Sequence, residues 1–249
     1  MVMQGLEKPP AQLVNPLGKS DILLVCEHAS NYIPPDFNNL GLTQAEVESH
    51  IGWDIGAEAT ARLLSEKLDA CLIAQNYSRL LYDCNRPPTE LSSIPRLSEV
   101  TEIPGNKDLT AQQRDYRVAQ IYLPFHQQIA EHIKARAAAG RRTILVTVHS
   151  FTPIFKEVKR PVQLGVICEL DNAFAKDVCR QAQLLSDFDV RLNEPYGPSD
   201  PVLHMVTKHG TDNQLDNVML EVRNDLIVDS AGQEVWAQLI ADTLNNVDH

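Results

Sequence analysis

The sequence predicts an α/β protein, a three-layer sandwich around a mixed, largely parallel central sheet. Three observations lead there. Short apolar runs recur along the 249 residues, several of them continuously apolar, as strands covered on both faces are. Stretches with helix-start signals lie between those runs. The two kinds of segment alternate, which is the pattern of strand–helix–strand units rather than of a hairpin protein.

Taken in order, residues 1–20 are polar and proline-broken, and read as an extension. "DILLVCEH" (21–28) is the first strand. Thr43 with Glu46 has capping-box spacing. "HIGWDIGAEATARLL" opens a helix, with Asp54 at or just before its first turn. "ACLIAQNY" (70–77) is the second strand. Residues 86–109 carry four prolines and no sustained period. A connection that long is a lid, a binding loop or disorder, and it is assigned here as a long active-site loop. Thr110 with Gln113 starts the next helix. "TILVTVHS" (143–150), "VQLGVICEL" (162–170), "FDVRLNE" (188–194) and "NVMLEVR" (217–223) are further strands. Asp171 is placed to cap a helix over the residues that follow it, and Ser230 with Gln233 starts the last helix. No repeat, low-complexity tract or linker appears, so residues 1–249 are expected to form a single domain.

A net charge of −11 argues against nucleic acid or an anionic membrane as partner, since both require a basic face. No apolar run approaches the roughly 18 residues of a membrane span, and no leader pattern opens the chain. A cytoplasmic protein is expected. Five widely spaced cysteines without a CxxC read as buried, reduced thiols. Neither GxGxxG nor a P-loop is present, which excludes the common nucleotide sites. A GxSxG elbow is missing too.

Three apolar runs end in residues able to bind metal: His28 closes "ILLVCEH", His149 closes "ILVTVH" and Glu221 closes "VMLE". Parallel strands share one carboxyl edge, so residues far apart in sequence can meet there. Asp54 is a fourth candidate. Each has a plain alternative, a hydrogen-bonded structural histidine or a helix N-cap. Glu221 is different, because an unpaired carboxylate in an apolar strand is costly without a cation. Arg223, two residues on and on the same strand face, is one possible compensation. Nitrogen and oxygen ligands with an open position suit zinc. In "NYSRLLYDCNR" (76–86), Arg79 and Arg86 bracket Asp83 and Asn85. That is either a salt-bridged strand end or a guanidinium clamp for a substrate carboxylate, with Asn85 adding a donor.

"CEHASNYIP", "GWDIGAEATA", "YSRLLYDCNR", "VTVHSFTP", "NEPYGPSD" and "LEVRNDLI", in this order, resemble the N-formylglutamate amidohydrolase family over about residues 20–240. The resemblance implies a phosphorylase/hydrolase-like fold, shared with zinc carboxypeptidases, aspartoacylase and muramoyl-alanine amidases. It implies one zinc per chain, with His28, Asp54 and His149 as ligands and Glu221 as proton carrier. Arg79 or Arg223 would stabilise an oxyanion, and Asn85 with Arg86 would hold a substrate carboxylate, as an Asn-Arg pair does in aspartoacylase relatives. The implied substrate is a small acidic N-formyl or N-acyl amino acid. Where members from histidine degradation carry a Pro-His-Ser-Gly type loop, this chain has "CEHASN", so it resembles a divergent branch. Glu27 is either a partner that orients an imidazole or solvated. His126 and His209 recur in the family blocks, and are otherwise helix-face or loop histidines. Two rival readings are a carboxypeptidase- or muramoyl-amidase-like zinc hydrolase acting on a peptide, and a metal-free binding protein of the same fold.

Overall fold

The computed structural model describes residues 6–247. The first half runs β1 (Ala11–Val14), β2 (Ile22–Cys26), α1 (Gln44–Glu48), α2 (Ala57–Leu68) and β3 (Cys71–Gln75). A small hairpin follows, β4 (Leu97–Ser98) with β5 (Thr101–Glu102), then α3 (Ala111–Arg117) and α4 (Leu123–Ala138). Next come β6 (Ile144–Phe151), the hairpin β7 (Ile154–Phe155) with β8 (Val158–Lys159), and β9 (Leu164–Ile167). The chain ends with α5 (Ala173–Leu185), β10 (Val190–Leu192), β11 (Asp216–Arg223) and α6 (Ser230–Asn245).

Seven strands form one sheet in the order β1-β3-β2-β6-β11-β9-β10. Its centre, β3, β2, β6 and β11, is parallel, while β1 and the β9–β10 pair run the other way. All six predicted strands are present, and the sheet is mixed and mostly parallel as expected. β1 was not foreseen. Part of the stretch read as an extension, it pairs antiparallel with β3 from Ala11 opposite Gln75 to Val14 opposite Leu72. Four residues of mixed character between prolines carry too short a period to announce a strand.

Alternate residues of the central strands feed two cores, as a period of two requires. Leu24, Val146 and Leu220 pack under α2, α5 and α6 around Trp236. Val25, Ile73 and Leu145 pack on the opposite face with Phe125 and Ile129 of α4 and the rings of Tyr77 and Tyr82. Helices on both faces of the sheet make the three layers. All five cysteines are free and buried. Among the described residues no helix is long and apolar enough to cross a membrane.

Thr43 and Thr110 form full capping boxes with Glu46 and Gln113. Two expected caps shift by one residue. Asn172, not Asp171, caps α5, because Asp171 adopts a left-handed φ of 66° that takes its side chain off the helix start. Asp229, not Ser230, caps α6, its carboxylate accepting from the Gly232 N–H at 2.9 Å. Residues 86–109 are a folded excursion. Buried Asn106 donates to the Leu80 and Pro95 carbonyls at 2.8 and 2.7 Å and accepts from Arg117 at 2.6 Å.

Gly56 sets the turn that delivers Asp54. It sits at φ 79°, and a Cβ there would meet the Ile227 carbonyl oxygen at 2.2 Å. Gly56→Ala should therefore cost about 2 kcal/mol or more, lowering Tm by roughly 4–8 °C in a domain of this size. Thermal unfolding checks this, and an unchanged Tm would mean that the turn differs from the one described.

Candidate metal centre

The centre lies at the carboxyl edge of the parallel strands. His149 of β6 and Glu221 of β11 are register partners, so they stand side by side on one face. His28 lies just past β2, and its carbonyl accepts from the Asp54 N–H at 3.0 Å, which ties the second segment to the first. The helix-cap alternative for Asp54 fails: α2 begins after Gly56 and takes no side-chain cap. Its carboxylate instead faces the histidines. Asp54 Oδ2 is 3.2 Å from His28 Nδ1 and 2.8 Å from His149 Nδ1.

One ligand atom from each of these three buried residues lies within 4.8 Å of the others, and this is the cluster of metal-binding geometry among the described residues. Atoms sharing an ion at roughly 2.0–2.2 Å stand about 3–3.5 Å apart in a tetrahedral arrangement, so the donor set fits a metal. The outer ring nitrogens face carboxylates, an arrangement that orients ligating imidazoles. His28 Nε2 is 2.8 Å from Asp83 Oδ1. His149 Nε2 is 3.0 Å from Glu27 Oε2, but off line, so neither atom completes a hydrogen bond. Glu27 thus faces His149 rather than its sequence neighbour His28, and it is buried rather than solvated. Asp83 joins the centre as well, and the sequence marked it only as a residue between two arginines.

Electrostatics follow from this packing. Burial would push the Asp54 and Asp83 carboxyls up, but His28 and the nearby guanidiniums hold both below the usual range. Burial would lower His149, yet Glu27 and Asp54 raise it well above an ordinary imidazole. Glu221 moves the other way. Burial, reinforced by Asp54, pushes it up to about 7 against the pull of His149, His28 and Arg79. Its Oε2 has no hydrogen-bond partner. A buried carboxyl of this kind beside a metal-type cluster is suited to carrying a proton.

The predicted substrate residues divide. Arg79 bridges Asp54 Oδ1 at 3.1 Å and Asp83 Oδ2 at 3.3 Å, which realises the salt-bridged reading of that strand end. Arg86 borders the cavity, its guanidinium bonded to the carbonyl of Asn85 at 2.7 Å. Asn85 borders it too, but its amide donates to the Val202 carbonyl at 2.6 Å and accepts from the Met205 N–H at 2.9 Å. Asn85 therefore braces a neighbouring segment. Arg223 lies elsewhere: it pairs with Asp225 at 2.8 Å and donates to the Arg160 and Pro161 carbonyls. The strand face was read correctly, but Asp225 two residues further on takes the charge. Of residues 86–109, Arg86 is the one that lines the cavity.

His126 and His209 form a buried pair behind this wall. His126 Nε2 meets the Cys84 carbonyl at 2.9 Å and must donate, so Nδ1 accepts from His209 Nε2 at 2.7 Å. Burial holds both neutral, His209 down to about 4. They brace the Cys84–Arg86 turn. Ser150, Tyr196, Val202 and Met219 complete the cavity wall. Sequence reasoning gave them no role, although Tyr196 sits in the quoted block "NEPYGPSD".

Fold and site together define an α/β protein with a metal-type His-Asp-His cluster and a buried glutamate at its strand ends. The family model of N-formylglutamate amidohydrolase matches residues 20–228, and the chain belongs to that family, which makes it an amidohydrolase-type hydrolase. The structure is similar to that of a gene product of Agrobacterium tumefaciens, with TM-score 0.94, 43% identity and coverage of 96% of this chain and 94% of that one. It is similar also to N-formylglutamate amidohydrolase from Ralstonia eutropha, with TM-score 0.69, 16% identity and coverage of 96% and 97%. Tripeptide-bound Csd4 of Helicobacter pylori shares the fold at TM-score 0.50 and 12% identity, 95% of this chain matching 55% of that one. No curated protein sequence matches the chain.

His28→Ala and His149→Ala should each abolish stoichiometric divalent-metal uptake, because each removes one donor of the three-residue cluster. Asp83→Asn should weaken uptake by roughly ten- to a hundredfold, the usual effect of losing an outer partner. Equilibrium dialysis with elemental analysis reads both, and full uptake by either histidine variant would remove that residue from the centre.

Proposed function

We propose that the chain hydrolyses the amide bond of an N-formyl or N-acyl amino acid such as N-formylglutamate, giving formate, or the corresponding acid, and the free amino acid. The observation that carries this is the convergence of His28 Nδ1, Asp54 Oδ2 and His149 Nδ1 beside Glu221, whose Oε2 has no hydrogen-bond partner. Zinc held by the first three supplies Lewis acidity and a water nucleophile near neutral pH. Asp83 and Glu27 orient the two imidazoles from behind. Glu221 takes the proton of the attacking water and returns it to the leaving amine, so that water and amide become acid and amine with no net proton change. Arg79 positions Asp54 and Asp83. Arg86 grips the carboxylate of the amino-acid half, while Asn85 holds the turn that presents it. Arg223 has no part in this reading, since its guanidinium is bound to Asp225.

A panel of N-formyl and N-acyl amino acids against small peptides tests the substrate class. Turnover of peptides alone would replace this reading with a peptidase. Glu221→Gln keeps size but cannot accept the proton, so kcat should fall roughly 10²–10⁴-fold with metal content unchanged. An unaltered kcat would take Glu221 out of the reaction, and lost metal would make it a ligand.

Arg86→Ala should lower kcat/KM for formylated acidic amino acids by about ten- to a hundredfold, the worth of one charge-assisted pair. Arg86→Lys should rescue partly, because an ammonium keeps the charge but not the fork. Equal losses on a neutral formyl amide would show that Arg86 only braces its turn.

A further inference from the structure

Tyr196 has no part in the reaction as described, yet it lines the same cavity as His28, His149 and Glu221. Its phenolic oxygen accepts a hydrogen bond from Arg160 Nη1 at 3.1 Å. That contact uses an oxygen lone pair and leaves the phenolic hydrogen to be donated elsewhere. Arg160 is itself fixed among rings, 4.5 Å from the centroid of Phe155 and 5.0 Å from that of Tyr196, a cation–π setting.

The place of this ring beside Glu221 has a backbone cause. Gly165 of β9 is the register partner of Glu221. A Cβ at Gly165 would meet the Glu194 carbonyl oxygen at 2.3 Å. The missing side chain lets the segment that carries Tyr196 lie against the sheet next to Glu221. Of the other donors of the wall, Arg79 is bound to Asp54 and Asp83, Asn85 to Val202 and the Ser150 hydroxyl to the Ile55 carbonyl, while Arg86 bonds the Asn85 carbonyl and is given above to the substrate carboxylate. Burial raises the phenol pKa, Glu221 adds to the rise and Arg160 opposes it. The hydroxyl therefore keeps its proton at neutral pH.

We propose that Tyr196 is a catalytic hydrogen-bond donor to the substrate carbonyl oxygen as that oxygen gains negative charge, with Arg160 as the positioning residue that aims the hydroxyl. This rests on the hydrolase reading above. Attack on the carbonyl carbon moves the C=O π pair onto oxygen. The Tyr196 O–H donates to that oxygen without giving up its proton, and the pair returns to C=O when the C–N bond breaks. A donor aimed at developing charge accelerates the step because it is already in place.

The test uses inorganic phosphate, a tetrahedral oxyanion, titrated by calorimetry into the zinc-loaded full-length protein. Tyr196→Phe removes one oxygen and leaves the ring, so zinc content and Tm should match wild type. Phosphate affinity should fall roughly ten- to a hundredfold. On N-formylglutamate the same variant should lose roughly 10²–10³ in kcat with KM unchanged. Arg160→Met should show a smaller loss of the same kind, partly restored in Arg160→Lys. Equal phosphate affinity in wild type and Tyr196→Phe, or no phosphate binding by wild type, would overturn the proposal. Failure of wild type to hydrolyse any formyl or acyl amino acid would instead sink the substrate reading, and the phosphate comparison would still decide Tyr196.

Discussion

The whole site depends on one arrangement, a single carboxylate oxygen of Asp54 shared by two buried imidazoles. Around it Glu27, Asp83 and Arg79 are brought within ion-pair distance at one sheet edge. Charges taken from water are costly unless each finds a partner, and removal of one partner strands the next. Within this inner group, with Glu221 and Arg86 at its edge, three carboxylates against one guanidinium leave two negative charges to be met. Two imidazolium ions meet them, and so does one divalent cation held by two neutral imidazoles. The raised affinity of His28 and His149 for protons is the first solution. The second is the one the proposed hydrolysis requires. Metal uptake should therefore release protons, as it does wherever ligands must first be deprotonated.

Backbone geometry makes such a concentration of charge tolerable. β2, β6 and β11 are parallel neighbours, so residues 28, 149 and 221 arrive on one edge without any long side chain reaching across. Asp54 is drawn in by its own N–H on the His28 carbonyl and by a glycine turn that no other residue fits without strain. Ligands fixed by strands and by a hydrogen-bonded turn hold their geometry better than ligands on free loops. The arginine pair shows the same division of labour. Arg79 is built into the charge cluster, whereas Arg86, a few residues on, faces open space.

Much of this is legible in the sequence. The parallel centre could be read because both-face burial leaves continuous apolar runs, and His28, His149 and Glu221 stood out because each interrupts one. β1 escaped because a half-buried edge strand of four residues has no such run. Asp171 and Ser230 were misplaced as caps because Asp and Asn, or Asp and Ser, stand side by side there, and local spacing does not say which residue turns left-handed. Arg223 was misjudged for a different reason. Strand alternation put it on the right face, but the sequence could not show that Asp225 would curl back to meet it. Glu27 was ambiguous on similar grounds: it lies in the turn just past β2, and its partner comes from a strand more than a hundred residues later.

The segments proposed to meet the substrate are the ones the sheet constrains least. Similarity to the Ralstonia eutropha enzyme falls to 16% identity while nearly the full length of both chains still superposes. What a layered α/β protein must keep is the burial pattern. The walls contributed by residues 85–86 and 194–202 are loops, held by contacts such as Asn85 to Val202 and Gly165 beneath Glu194 rather than by the sheet ladder. A change in such a loop re-aims one donor or closes one corner without touching the ligands. On the proposed reading, that separation leaves substrate choice with Arg86, Tyr196 and their supports rather than with His28, Asp54 and His149.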